Sequence, residues 1–291
     1  MEGTNNNSDT YIIKSWMTEL WAWADKFDIP KDYLPRNPEG LLALKQLNIS
    51  CKEIIEIPES LDNLVNLSRL DIHRELTNVL PTGIVEKYRN KQLWLLGLTT
   101  ATLYKPSVDN YSLSLSGFFF IEDDWDEKKL VDLKYKTGVE FLFGLQTTER
   151  SIEKLDIVDN IIICQTEAAP QVIMTFETML EISGLVGVSI DDIKSLVHSV
   201  KPAQFIQTTV KGKVDENLAK EAIEYILTQI PESLNIDSLI LSTQSNTILS
   251  ESIWKTIMNS LKDRVIDENI MWGFKNTEQF DYLWLGVIVF S

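Results

Sequence analysis

The sequence predicts an α/β protein in two stretches: a short solenoid of parallel strands behind an N-terminal capping helix, then a region where strands and helices alternate. Three observations carry this reading. Leucines recur every 23 residues at Leu47, Leu70 and Leu93, and prolines keep the same interval at Pro58 and Pro81. Apolar residues before the repeat fall at helical spacing, and beyond residue 112 short apolar runs alternate with amphipathic stretches. The chain is 291 residues long and 44% hydrophobic. That leaves room for about two domains with cores of their own.

Residues 9–26 place Trp16, Leu20 and Trp23 on one helical stripe, continued by Phe27, after Asp9 or Thr10 as a cap. They predict a helix that closes the open end of the solenoid. Aromatics at this spacing are read as core rather than as a ligand platform. The repeat unit then runs through Leu41, Leu44, Leu47 and Ile49, and through Ile54, Pro58, Leu61, Leu64, Leu67, Leu70 and Ile72. It restarts at Leu76, Pro81 and Ile84. Strands are expected at 46–49, 69–72 and 92–95, with Leu47, Leu70 and Leu93 in one register and pointing inward. The pattern resembles leucine-rich repeats, in which each turn contributes one strand to a shared core. The run from Trp21 to Asp25 and on through Pro35 to Leu41 is similar to the lead-in of many bacterial repeat proteins of that kind.

Residues 98–112, with Pro106 and Asn110, read as a junction. After it strands are expected at Leu113–Ile121, Val139–Leu145 and Val158–Cys164, with helices at 125–135 and 149–155 between them. This alternation argues for a parallel sheet. A helix at about 170–183 carries Val172, Phe176, Met179 and Leu180. The last part predicts strands at 203–210, 237–242, 269–274 and 282–290, with helices at 215–230 and 250–262, the second behind Ser250 as a cap.

From Val158 onward the sequence resembles the tubulin/FtsZ family. Val158–Cys164 is similar to the strand before the family's long central helix, and helix 215–230 is similar to the first helix of its C-terminal domain. The segments Ile270–Phe274 and Leu283–Val289 are similar to that domain's last hairpin. Residues 184–193 fall where FtsZ carries an acidic loop that reaches the nucleotide of the next subunit. The resemblance implies an FtsZ C-terminal-type two-layer α/β domain at 184–291. Ahead of it come a capping helix and lead-in (1–40), leucine-rich repeats (41–97) and a partial tubulin/FtsZ-like segment with a connecting helix (98–183). The loop positions read Gly187, Ser189 and Asp192 here, so one of its two carboxylates survives. The family's glycine-rich phosphate loop has no counterpart, since the 12 glycines form no such cluster. The expectation is a non-catalytic protein without catalytic residues or cofactor, whose candidate interaction loop is Gly187, Ser189, Asp191 and Asp192.

A net charge of -16 repels phosphate backbones and anionic lipid surfaces, so nucleic acid and membrane are not expected partners. A protein partner is expected, an FtsZ-like filament among the possibilities that the resemblance implies. A polar start and the lack of a long apolar run suggest the cytoplasm. Cys51 and Cys164 are expected to be reduced and buried. The acidic run Glu122–Glu127 suits a hard cation, but reads more simply as acids at a helix N-terminus. His73 and His198 are far apart in the sequence and suggest no metal site.

Overall fold

The computed structural model describes residues 12–106, 111–148, 155–186, 190–197, 201–266, 269–278 and 281–291. Two compact units are present: one comprises the residues up to 99 together with 136–138, the other residues 100–135 and 139–291.

The first unit begins with α1 (Ser15–Lys26). Lys14 stands at its N-cap, so the helix starts later than the expected Asp9 or Thr10, which lie outside the described residues. Met17, Leu20, Trp23 and Ala24 are its buried stripe. The Trp23 indole donates to Glu56 O at 2.9 Å, and that of Trp21 to Pro35 O at 2.9 Å, so both rings find partners for their single polar atom. A short helix α2 (Pro38–Ala43), capped by Asn37, leads into β1 (Gln46–Ile49). Next come β2 (Arg69–Ile72), α3 (Thr82–Arg89) and β3 (Trp94–Leu96).

The three strands form one parallel sheet, β1-β2-β3. Leu47 pairs with Leu70 as the 23-residue interval requires, but Leu70 pairs with Leu95, not with Leu93. The third turn is two residues longer than the second. Its connection holds a full α-helix followed by Lys91 in a left-handed turn (φ 58), where the earlier one holds only a short 3-10 helix at Glu59–Asn63. The strand expected at 92–95 is therefore shifted, although Leu93 is still buried. The Asp62 carboxylate accepts from Gly83 N (2.9 Å) and Ile84 N (2.8 Å), so a residue of one turn caps the helix of the next.

The second unit is an eight-stranded sheet with helices on both faces. Its first half runs β4 (Thr99–Leu103), β5 (Ser114–Phe120), α4 (Glu127–Thr137), β6 (Phe141–Gln146), β7 (Asn160–Ile163) and α5 (Ala169–Val186). It continues with α6 (Ile190–Val197), β8 (Ala203–Lys211), α7 (Glu216–Thr228), β9 (Ser238–Ser245), α8 (Glu251–Lys262), β10 (Ile270–Asn276) and β11 (Tyr282–Phe290). The helix expected at 149–155 falls almost wholly outside the described residues. The edge strand β4 lies in the stretch read as a junction.

The strand order is β10-β9-β11-β8-β7-β6-β5-β4. Strands on both sides of residue 184 thus share one sheet. β5 to β8 are parallel, as are β9 and β10, whereas β11 runs antiparallel to both its neighbours. The expected last hairpin is absent: β10 pairs with β9, and β11 inserts between β9 and β8. Burial explains this. From Leu283 to Phe290 every residue of β11 is buried, so the strand needs a neighbour on each side and a helix layer on each face. β10 is half exposed and takes the edge.

On one face α5 and α6 pack Val172, Phe176, Met179, Ile193 and Leu196 against Phe118, Phe143, Ile162 and Ile288. On the other face α7 and α8 cover Ile206, Leu239, Leu285 and Val287, while α4 covers Phe119 and Leu142. Asp215 caps α7 by accepting from Leu218 N at 2.9 Å, and Ser250 caps α8. Among the described residues no helix is long and apolar enough to cross a membrane.

Candidate functional site

A parallel strand sends alternate side chains to opposite faces. In the first unit Leu47, Ile49, Leu70, Ile72 and Leu95 point into the core and are buried, which leaves the intervening positions facing outward. The register stacks these into two rows, Gln46–Arg69–Trp94 and Asn48–Asp71–Leu96. Trp94 is 50% exposed. Beside it the Arg69 guanidinium holds Asp71 through two hydrogen bonds, Nε to Oδ1 at 2.9 Å and Nη2 to Oδ2 at 3.0 Å. This fixes the planar fork and keeps Asp71 largely covered by its neighbour.

The face presents an indole, a guanidinium, a carboxylate and two amides on a rigid backbone. It holds no nucleophile with a base and no set of metal ligands. Exposed Trp and Arg on a fixed scaffold are the residue types that anchor protein interfaces. The repeat marks the strand positions in the sequence, but the outward residues pass unnoticed there, because the inward leucines carry the periodicity. Their only signal is the middle letter of each Leu-x-Leu or Leu-x-Ile step.

The loop singled out from the sequence looks different. Gly187 and Ser189 lie outside the described residues. Residues up to Val186 belong to α5, and Asp191 and Asp192 sit in the first turn of α6, so the described part of 184–193 is helical rather than looped. Both acids are exposed, and Lys194 Nζ is 4.0 Å from Asp191 Oδ1.

The acidic run at 122–127 is taken up by the fold. Asp126 Oδ1 accepts from Lys129 N at 2.7 Å and caps α4, and Lys129 Nζ pairs with Asp124 at 2.7 Å. Glu122 accepts from Thr147 N (2.8 Å) and Thr148 N (3.0 Å). Burial pushes its pKa up, but these backbone bonds outweigh that and hold it below the usual value. Among the described residues no group of three or more His, Cys, Asp or Glu is placed to hold a metal ion.

Of the two cysteines, only Cys164 is buried; Cys51 is exposed, and its thiol meets the Glu53 carboxylate. Burial, aided by the Glu122 charge, pushes the Cys164 thiol up to about 11. At pH 8 roughly one molecule in a thousand then carries the reactive thiolate there. Iodoacetamide is expected to label one thiol in the native protein, Cys51, and the second only after unfolding. Mass spectrometry showing both labelled at similar rates would contradict the buried position of Cys164.

No family model matches the chain, and no curated protein matches it. Among solved structures, a point mutant of FtsZ from M. jannaschii aligns with a TM-score of 0.41 and 12% identity, covering 78% of this chain and 83% of that one. An empty FtsZ dimer from the same organism gives 0.43 and 13%, covering 62% and 63%. A GTPγS-bound protofilament of CetZ2 from Haloferax volcanii gives 0.39 and 11%, covering 60% and 65%. The chain thus spans just under two thirds of the latter two. With TM-scores below 0.5, these likenesses assign neither a family nor an activity.

Proposed function

We propose that this chain is a non-catalytic protein-binding protein whose docking surface is the outward face of the β1-β2-β3 sheet. The observation that carries the reading is the half-exposed Trp94 stacked in register beside the Arg69–Asp71 pair. An indole left half in water on a rigid sheet gains several kcal/mol at most when a partner covers it, and such positions are where binding energy concentrates. On this reading the first unit is a short leucine-rich-repeat stack, supported by the 23-residue interval and by the parallel pairing of Leu47 with Leu70. The second unit is a tubulin/FtsZ-like domain that binds no GTP, supported by the sequence resemblance and the missing glycine-rich loop.

The test compares the native chain with Trp94→Ser and Arg69→Glu as baits for cross-linked partners. Both substitutions are on the exposed face and are expected to leave the melting temperature nearly unchanged. Loss of a captured protein by about 30-fold in affinity with Trp94→Ser is the expected result, equivalent to about 2 kcal/mol for an anchoring residue. Equal capture by all three proteins would remove this face from the function.

The exposure of Asp191 and Asp192 favours a second reading, a cytoskeletal element that docks on an FtsZ-like filament through the start of α6. Sedimentation of polymerising FtsZ with the native chain and with Asp192→Ala separates the two, since the first reading expects no effect of either.

A further inference from the structure

Adjacent parallel strands β7 and β8 leave their sheet toward opposite faces. The chain after Ile163 turns through Thr166–Ala168 into α5 on one face, while β8 leads through Asp215 into α7 on the other. Ligand sites in open α/β sheets form outside the carboxyl ends of strands at such a switch. β7 pairs with β8 only at Ile162–Ala203 and Ile163–Gln204, so β8 runs on to Lys211 well beyond its neighbour. Between the first turns of α5 and the carboxyl ends of β8 and β9 lies a cavity of about 790 Å³. That is the size of an ordinary small-molecule pocket.

The chemistry of the wall changes at this point. Under the middle of α5 the sheet offers Phe205, Ile240 and Ile288, which pack as core. Toward the carboxyl ends the same face offers Thr209 and Lys211 on β8 and Gln244 on β9, all lining the cavity. Filling this space with apolar side chains would have been the simpler way to seat a helix. The aromatic wall is Trp284, whose six-membered ring lies over Gly286. A Cβ there would come within 2.3 Å of Cη2 and 2.6 Å of Cζ2, so only glycine lets the indole lie down on the sheet. Its Nε1 donates to Gln207 Oε1 at 3.0 Å, which fixes the ring. Beside Trp284 on the same sheet wall, its cross-strand partner Gln244 aims its amide nitrogen at the Met174 thioether of α5. Sulfur is a weak acceptor, so that N–H is open to a better one.

The lining carries one side chain of each sign, Lys211 and Asp281, and the Asp281 carboxylate keeps its charge although a neutral amide is bonded to it. Asp281 accepts from Asn246 Nδ2 at 3.0 Å. No carboxylate among the described residues forms an ion pair with Lys211. Pro170 and Gln171, the first residues of α5 after Ala169, also line the space, so the positive end of that helix adds to the Lys211 charge.

We propose that this crevice binds a planar aromatic anion, with its ring against Trp284 and Met174 and its charge toward Lys211 and the N-terminus of α5. Calorimetric titration of the full chain with 2-naphthoate tests it, beside cyclohexanecarboxylate and 2-naphthylmethylammonium. The variants are Lys211→Met, which removes the charge, and Thr209→Trp, which fills the space; each is an exposed position, and thermal melts establish that both fold. The expected result is saturable one-to-one binding of 2-naphthoate, weakened about tenfold by Lys211→Met and lost in Thr209→Trp, a change of about 1.4 kcal/mol for the former. The two control compounds are expected to bind at least tenfold more weakly, on the order of one lost charge or stacking contact. No saturable binding of 2-naphthoate, undiminished binding by folded Lys211→Met, or equal binding of the ammonium compound would each overturn the proposal.

Discussion

Replacing Gly97 by alanine is expected to unfold the three-stranded sheet of the first unit. Gly97 follows β3 at φ +87, and a Cβ there would stand 1.9 Å from the Ile72 carbonyl oxygen, closer than any non-bonded contact allows. The sign of φ alone does not decide the cost, because Lys91 tolerates φ 58 in the same unit. The backbone oxygen decides it: Ile72 ends the central strand and cannot retreat without breaking its pairing with Ile49. A left-handed conformation costs about 1–2 kcal/mol for a residue with a Cβ, and overpacking adds about 1–3 kcal/mol. The expected loss is therefore about 3 kcal/mol or more. Hydrogen exchange at the amides of Leu47, Leu70 and Leu95 reads it directly. Protection within the few-tenths range of an ordinary surface change would show that the sheet does not depend on this close approach.

In the second unit Phe143→Ala is expected to cost about 3–5 kcal/mol. Phe143 is fully buried in β6, with ring centroids 5.2 Å from Phe118 and 4.6 Å from Phe176 of α5. It thus ties two strands to the helix above them. Phe118 and Phe176 also touch, at 5.2 Å, so removing the third ring leaves a cavity walled by rigid aromatics that relax poorly. Phe143→Leu, which keeps most of the volume, is expected to cost clearly less. Urea titration of both variants provides the comparison. Equal losses would mean that the ring contacts to Phe118 and Phe176, which both variants lose, and not the volume left empty, set the energy.

Much of the secondary structure was legible in the chain because it is local. Strands β1 and β2 fall where the 23-residue interval puts them, and Asp215 and Ser250 start their helices as capping residues should. The stripe Ala219, Ala222, Ile223 and Ile226 is buried because helical spacing alone brings those residues to one face. The candidate sites were less legible. Gly187 and Ser189 owed their selection to a resemblance, and the described residues of that segment form helix ends. Trp94 and Arg69, which lie on the proposed docking face, break no local rule and so draw no attention in the sequence.

What the sequence by itself determined is which residues seek the interior, since apolar spacing fixes the buried face of a helix or strand before any partner is known. Only the tertiary structure decided who the partners are. The apolar run from Leu283 to Phe290 states that β11 must be covered on every side, yet not that it would part β9 from β8. Leu93 and Leu95 are both suitable inward leucines, and the length of the connection through α3 chose Leu95 as the partner of Leu70. Cys51 stands in solvent although its neighbours obey the repeat, because the turn that carries it packs nothing over it. Gly97 and Gly286 are unremarkable letters until a carbonyl oxygen and an indole arrive from elsewhere in the chain. Periodicity is set by backbone geometry within a few residues, whereas register, strand order and close approach are set by surfaces that meet only after the chain has folded.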